Sequence, residues 1–139
     1  MIDGTYGFAY CGTHGLGMGV FTVRGQAFVG VDAGGVQYSG TAEAKEDGSI
    51  GLDLKLTMPA GSALLQRSSS QIIPHIRHIQ AILPPSFGDG IPQEVVAPPG
   101  TITVMVKRVR DDFLMAGQPA TLSDAHRLAA TPDIFFKAS

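Results

Sequence analysis

His75 and His78, with Arg77 between them, form the one closely spaced pair of histidines in this 139-residue chain. On a helix, positions i and i+3 share a face, so both imidazoles would point the same way and could grip an ion. No carboxylate or cysteine stands near them, and two ligands do not complete a site, so surface histidines are the plainer reading. Nothing in the sequence brings His14 or His126 to join them. Cys11, the single cysteine, would be a nucleophile beside a histidine. A lone thiol at a strand end is more often a small buried hydrophobe. The run Gly15-x-Gly17-x-Gly19 has the letters of a phosphate loop but leads into a strand, which offers no helix N-terminus to receive phosphate. Glu43, Glu46, Asp47 and Asp53 gather around one hairpin: a solvated turn, or a contact for a basic partner. Asp3, Arg24 and Asp32 could pair as acid and base, but an aspartate beside a strand-end glycine ordinarily serves turn geometry. No base, nucleophile and oxyanion donor come together. The expectation is a non-enzymatic protein with no catalytic residue, metal or cofactor.

The elements that would position these groups are strands. Alternating segments at 2–10, 16–24, 26–32, 36–44 and 49–58 follow one another through glycine-rich connections. Connections this short make consecutive strands antiparallel neighbours, because a parallel pair needs a crossover of a dozen or more residues. Asp47-Gly48 is the clearest hairpin signal. After it, Ile50, Leu52, Leu54, Leu56 and Met58 alternate with polar or small residues, as in a strand with one face in a core. The second strand is apolar on both faces, leaving Leu16, Met18 and Val20, or Phe21 and Val23, as its inward set. A sixth strand is expected at 62–66. Between 68 and 83 a helical or loop insertion is expected, its isoleucines at loosely helical spacing after a serine cap. Strands at 92–97 and 101–110 follow, then a C-terminal helix and tail over 121–139, capped at Thr121 or Ser123.

About eight strands in one domain, 1–139, give an all-β, antiparallel, up-and-down barrel, whose interior holds side chains or one small ligand. The 18 glycines, 9 prolines and absent tryptophan suit such a fold better than a helix bundle. A net charge of −2 gives no electrostatic footprint for nucleic acid or an anionic membrane. The first residues lack the basic start and apolar core of a signal peptide, and no run reaches the ~20 apolar residues of a bilayer span, so a cytoplasmic protein is expected. Glycine-rich edge strands are poorly defended against pairing, which points to a homodimer.

Asp3-Gly4-Thr5-Tyr6, Gly17-x-Gly19-Val20, Gly30-x-Asp32 and Tyr38-x-Gly40 occur in an order that resembles the GrlR-like proteins. These are small bacterial barrels of lipocalin-like (calycin) type, named after a negative regulator of type III secretion. The resemblance covers roughly the first sixty residues and continues through Pro98-Pro99-Gly100-Thr101. It implies an eight-stranded barrel, an apolar cavity, dimerisation, and an acidic surface loop that holds a transcriptional regulator. The corresponding hairpin is Ala44-Lys45-Glu46-Asp47, so Glu46 and Asp47 are the expected partner-binding residues. The other expectation is a carrier or sensor of a small hydrophobic ligand, lined by Tyr6, Phe8, Met18, Phe28, Tyr38, Leu52, Leu54, Leu56 and Val104. Gly40 and Ala42, small inward residues, would favour a gap in that interior.

Overall fold

The structure, a computed structural model, describes residues 3–12, 15–59, 75–97, 100–109, 113–114 and 120–130. Among the described residues, eight strands and one helix follow in order. These are β1 (Gly4–Gly12), β2 (Gly15–Arg24), β3 (Ala27–Asp32), β4 (Gln37–Ala44), β5 (Ile50–Met58), β6 (His75–Leu83), β7 (Gln93–Ala97), β8 (Gly100–Arg108) and α1 (Leu122–Ala130). They make one antiparallel sheet in the order β6-β5-β4-β3-β2-β1-β8-β7. The first and last strands are hydrogen-bonded, in register from Tyr6↔Arg108 to Cys11↔Thr103. The unpaired edges are β6 and β7, consecutive strands that approach without forming a ladder, so the barrel is nearly closed. Closing a sheet in this way covers most of its hydrogen-bonding edge.

Strand pleating sends alternate side chains inward. Leu52, Leu54 and Leu56 of β5 are buried while Asp53 and Lys55 between them are exposed. Asp47-Gly48 turns the β4–β5 hairpin, with Gly48 at φ 85° and its N–H bonded to the Lys45 carbonyl at 3.0 Å. The interior core joins Tyr6, Phe8, Phe21, Phe28 and the β5 leucines. A second, smaller core lies outside the sheet, where Ala125 and Leu128 of α1 pack with Val20, Val31, Val109 and Phe113. Thr121 starts the helix in a reciprocal cap: its Oγ1 accepts from the Asp124 N–H at 3.3 Å, and Asp124 Oδ2 accepts from the Thr121 N–H at 2.9 Å. Among the described residues no helix is long and apolar enough to cross a membrane.

Two expectations change, and a third is not addressed. The helical or loop insertion over 68–83 becomes strand β6 from His75 onward, paired residue by residue with β5. The expected strand at 62–66 lies outside the described residues. Gly40 does not open a gap: a Cβ placed there would sit 1.9 Å from the Asp53 carbonyl oxygen, so neighbouring backbone occupies the space.

Candidate functional site

Turning His75 and His78 from a helix onto a strand separates them. Neighbouring positions alternate, so i and i+3 face opposite sides. His75 lies at a half-buried inward position opposite Met58, and His78 is exposed opposite Lys55. No group of three metal-binding side chains occurs among the described residues. Cys11 is exposed rather than a small buried hydrophobe. The glycines Gly17 and Gly19 serve packing, not phosphate. They pair with Tyr10 and Phe8 across the β1–β2 ladder, and a Cβ on either would lie 2.4 Å from those rings. Aromatic rings thus lie flat over bare backbone, and this close approach selects glycine.

Inside the barrel is an apolar cavity of about 80 Å³. Phe8, Phe28, Tyr38, Leu52, Leu54, Leu56 and Val104 line it, as expected from the sequence. Tyr6 belongs to the same core, stacked on Phe21 at 5.2 Å between ring centroids, but it is not in the lining. Met18 is a correction: it packs in the outer cluster beneath α1, because β2 turns Phe21 and Val23 inward and Met18 and Val20 outward. Tyr10 falls on the inward aromatic face of the first strand by alternation alone, and it too lines the cavity, although nothing local marks it as a site residue. So do Phe21, Ile79, Phe87, Val95, Ile102 and Val106, which come from β2, β6, β7, β8 and the loop between β6 and β7.

Behind one wall of this cavity sits Asp32, at 0% exposure. Its Oδ1 accepts from the Gly34 N–H at 2.9 Å and the Val36 N–H at 3.1 Å. Its Oδ2 accepts the Tyr10 hydroxyl at 2.8 Å and the Tyr38 hydroxyl at 2.9 Å. A carboxylate has about four acceptor positions, and all are used. Asp32 therefore shapes the β3–β4 turn, as its neighbouring glycines foretold, and also ties β1 and β4 to that turn. Next to it, the Ala33 carbonyl lies 2.8 Å from His126 Nε2 of α1. With every acceptor engaged, this is a structural carboxylate rather than a general base.

All three tyrosines of the chain hold their protons more tightly than usual. Burial is the first cause in each case, and the Asp32 charge adds to it for Tyr10 and Tyr38. Unfolded tyrosines ionise near 10, so above that pH the folded state binds more protons than the unfolded chain. Stability is whole below pH ~10 and falls as pH rises past it, chiefly through Tyr10 and Tyr38, which are held most strongly in the protonated form. Urea unfolding and tyrosinate absorbance between pH ~9 and ~12 check this, with tyrosinate emerging alongside loss of the folded circular dichroism. Free ionisation at the ordinary tyrosine value in folded protein would contradict the buried network.

The acidic hairpin is exposed, and its members differ. Asp47 Oδ1 accepts from the Ser49 N–H at 2.9 Å and the Ser49 hydroxyl at 2.6 Å, which lowers its pKa. That carboxylate is committed to the turn. Glu43 and Glu46 are exposed on the same hairpin, and the Asp53 carboxylate lies 3.5 Å from Gln80 Nε2 on the outer sheet face. Asp3 accepts the Gly25 N–H with both oxygens, at 3.0 and 3.1 Å, closing the β2–β3 turn from the start of β1.

No family model, curated protein or solved structure matches the chain. Its class is set by its own geometry: an eight-stranded antiparallel barrel, nearly closed, with an apolar interior and a buried Asp–Tyr–Tyr cluster in the wall.

Proposed function

We propose that this chain is a binding protein whose barrel holds a small apolar molecule, as a carrier or a sensor. The observation that supports it is the cavity, where phenylalanine, leucine, isoleucine and valine side chains from seven strands converge with two tyrosine rings. Apolar cavities of this type stay dry and take apolar guests; one of ~150 Å³ accepts benzene or xenon. At about 80 Å³ this one suits a guest of a few heavy atoms. Titration of the full chain with xenon, followed by methyl NMR, should give saturable shifts at Leu52, Leu54, Leu56 and Val104. Val104→Phe, which fills the space, should abolish them. Unchanged wild-type methyl signals under xenon pressure would end this reading.

A second reading is protein contact through the β4–β5 hairpin, in the manner of the GrlR-like regulators. It draws on the exposure of Glu43 and Glu46 at the hairpin. Because Asp47 builds the turn, the informative variant is Glu43→Lys with Glu46→Lys, which keeps the Ser49 bonds. Pull-downs from the host should lose a basic partner with that variant. Capture of the same partners as wild type would count against the hairpin.

A further inference from the structure

Phe87 lines two spaces at once. Its ring, 6% exposed, forms part of the wall of the inner cavity. With Tyr6 and Ile50 it also lines an open pocket of about 370 Å³ at the β4–β5 hairpin end of the barrel, bordered by Gly48 and the exposed Asp89. Phe87 sits in the loop 84–92, which joins β6 to β7, the neighbouring strands whose edges form no ladder. Beyond Phe87 this loop is pinned to β8, where the Gly90 N–H donates to the Val106 carbonyl at 2.7 Å. The half that carries Phe87 is bonded to itself, its N–H donating to the Pro84 carbonyl at 3.0 Å. Gln93 Nε2, donating to Ser86 Oγ at 3.2 Å, ties that half to the start of β7. Gly88, at φ 111°, joins the two halves. Swinging the Phe87 ring aside therefore breaks no bond of the sheet.

Resting on the internal-ligand reading, we propose that the binding site is the cavity and this outer pocket together, parted by Phe87 in the free protein and joined when its ring swings aside. The ligand class that fits is a single-chain amphiphile, tail inward and head at the mouth. At about 80 Å³ the inner cavity takes only a few heavy atoms, so a longer chain runs on through the place of the Phe87 ring. Its inner end is apolar, because the Tyr10 and Tyr38 hydroxyls donate to Asp32 and a polar group buried beside them would go unpaired. Its head stays at the mouth, where the exposed Asp89 carboxylate can accept a hydrogen bond from a hydroxyl.

Titration of the wild-type full chain with n-hexanol, followed by NMR, tests this. The methyls of Leu52, Leu54, Leu56 and Val104 and the amides of Gly48, Gly88 and Asp89 should shift together, with a single dissociation constant. Xenon should shift the methyls alone. The hexanediol with a hydroxyl at each end should bind at least roughly fivefold more weakly, the cost of a hydroxyl buried without a partner. Phe87→Leu shortens the partition and should tighten hexanol binding by about tenfold, the tax on an open state that the wild type populates only to ~10%. Should that variant not fold, the wild-type comparison decides alone. Xenon shifts accompanied by hexanol shifts in one set of signals only, by two separate constants, by equal binding of the diol, or by unchanged hexanol affinity in Phe87→Leu would overturn the joined site and leave the cavity reading intact. No xenon shift would overturn both.

Discussion

Asp32→Ala is expected to cost the fold about 4 kcal/mol or more, the largest effect of any single side-chain truncation in the barrel wall. Four donors converge on this carboxylate, two backbone N–H groups and two tyrosine hydroxyls, at a fully buried position. Each orphaned buried donor costs ~1–3 kcal/mol. The hydroxyls can rotate and recover part of that loss; the N–H groups of Gly34 and Val36 cannot. Asp32→Asn separates shape from charge. Its amide oxygen can keep the two N–H bonds, and its NH₂ can donate to hydroxyls that reorient, so a loss of ~1–2 kcal/mol is expected. Urea unfolding of wild type and both variants measures the difference. An alanine variant within ~1 kcal/mol of wild type would show that the network adds little.

That cluster marks where a sequence stops being informative. Asp32 is legible as a turn residue because its partners Gly34 and Val36 are two and four positions away. Its bond to Tyr10 spans 22 positions and exists only once β1, β2 and β3 are in register. Local signals carry most of the barrel: the alternation of β5 and the Asp47-Gly48 turn follow from period and φ alone. Strand β2 defeats the same logic. It is apolar on both faces because α1 covers its outside, so composition does not tell the interior from the helix-covered face, and Met18 lands on the wrong one.

Strand β6 fails for the opposite reason. Its inward positions include His75 and Arg77, while Ile76 and Ile82 face solvent, Ile82 at 74% exposure. That reverses the usual pattern and leaves isoleucines at spacings a helix also satisfies. The competing determinant is tertiary: the edge of β5 supplies nine consecutive partners, from Met58↔His75 to Ile50↔Leu83. Pairing against an existing sheet overrides a weak local preference.

Gly40→Ala should destabilise the protein by about 3 kcal/mol or more, lowering its melting temperature by roughly 10 °C. Gly40 holds φ at 154°, and a Cβ there would meet the Asp53 carbonyl oxygen at 1.9 Å. Both atoms are fixed by backbone, so no rotamer relieves the contact; β4 and β5 must separate where Gly40 pairs with Leu54. Gly25→Ala is the control. Gly25 is also at positive φ, 61°, but nothing lies within 4 Å of the place its Cβ would take, so only the conformational cost of ~1–2 kcal/mol applies. Thermal melts of the two variants should therefore rank clearly, with Gly40→Ala much the worse. Equal losses would mean that β5 yields freely to the added methyl. The interior would then owe its size to loose strands rather than to backbone held at close approach, and a guest would meet a cavity able to expand.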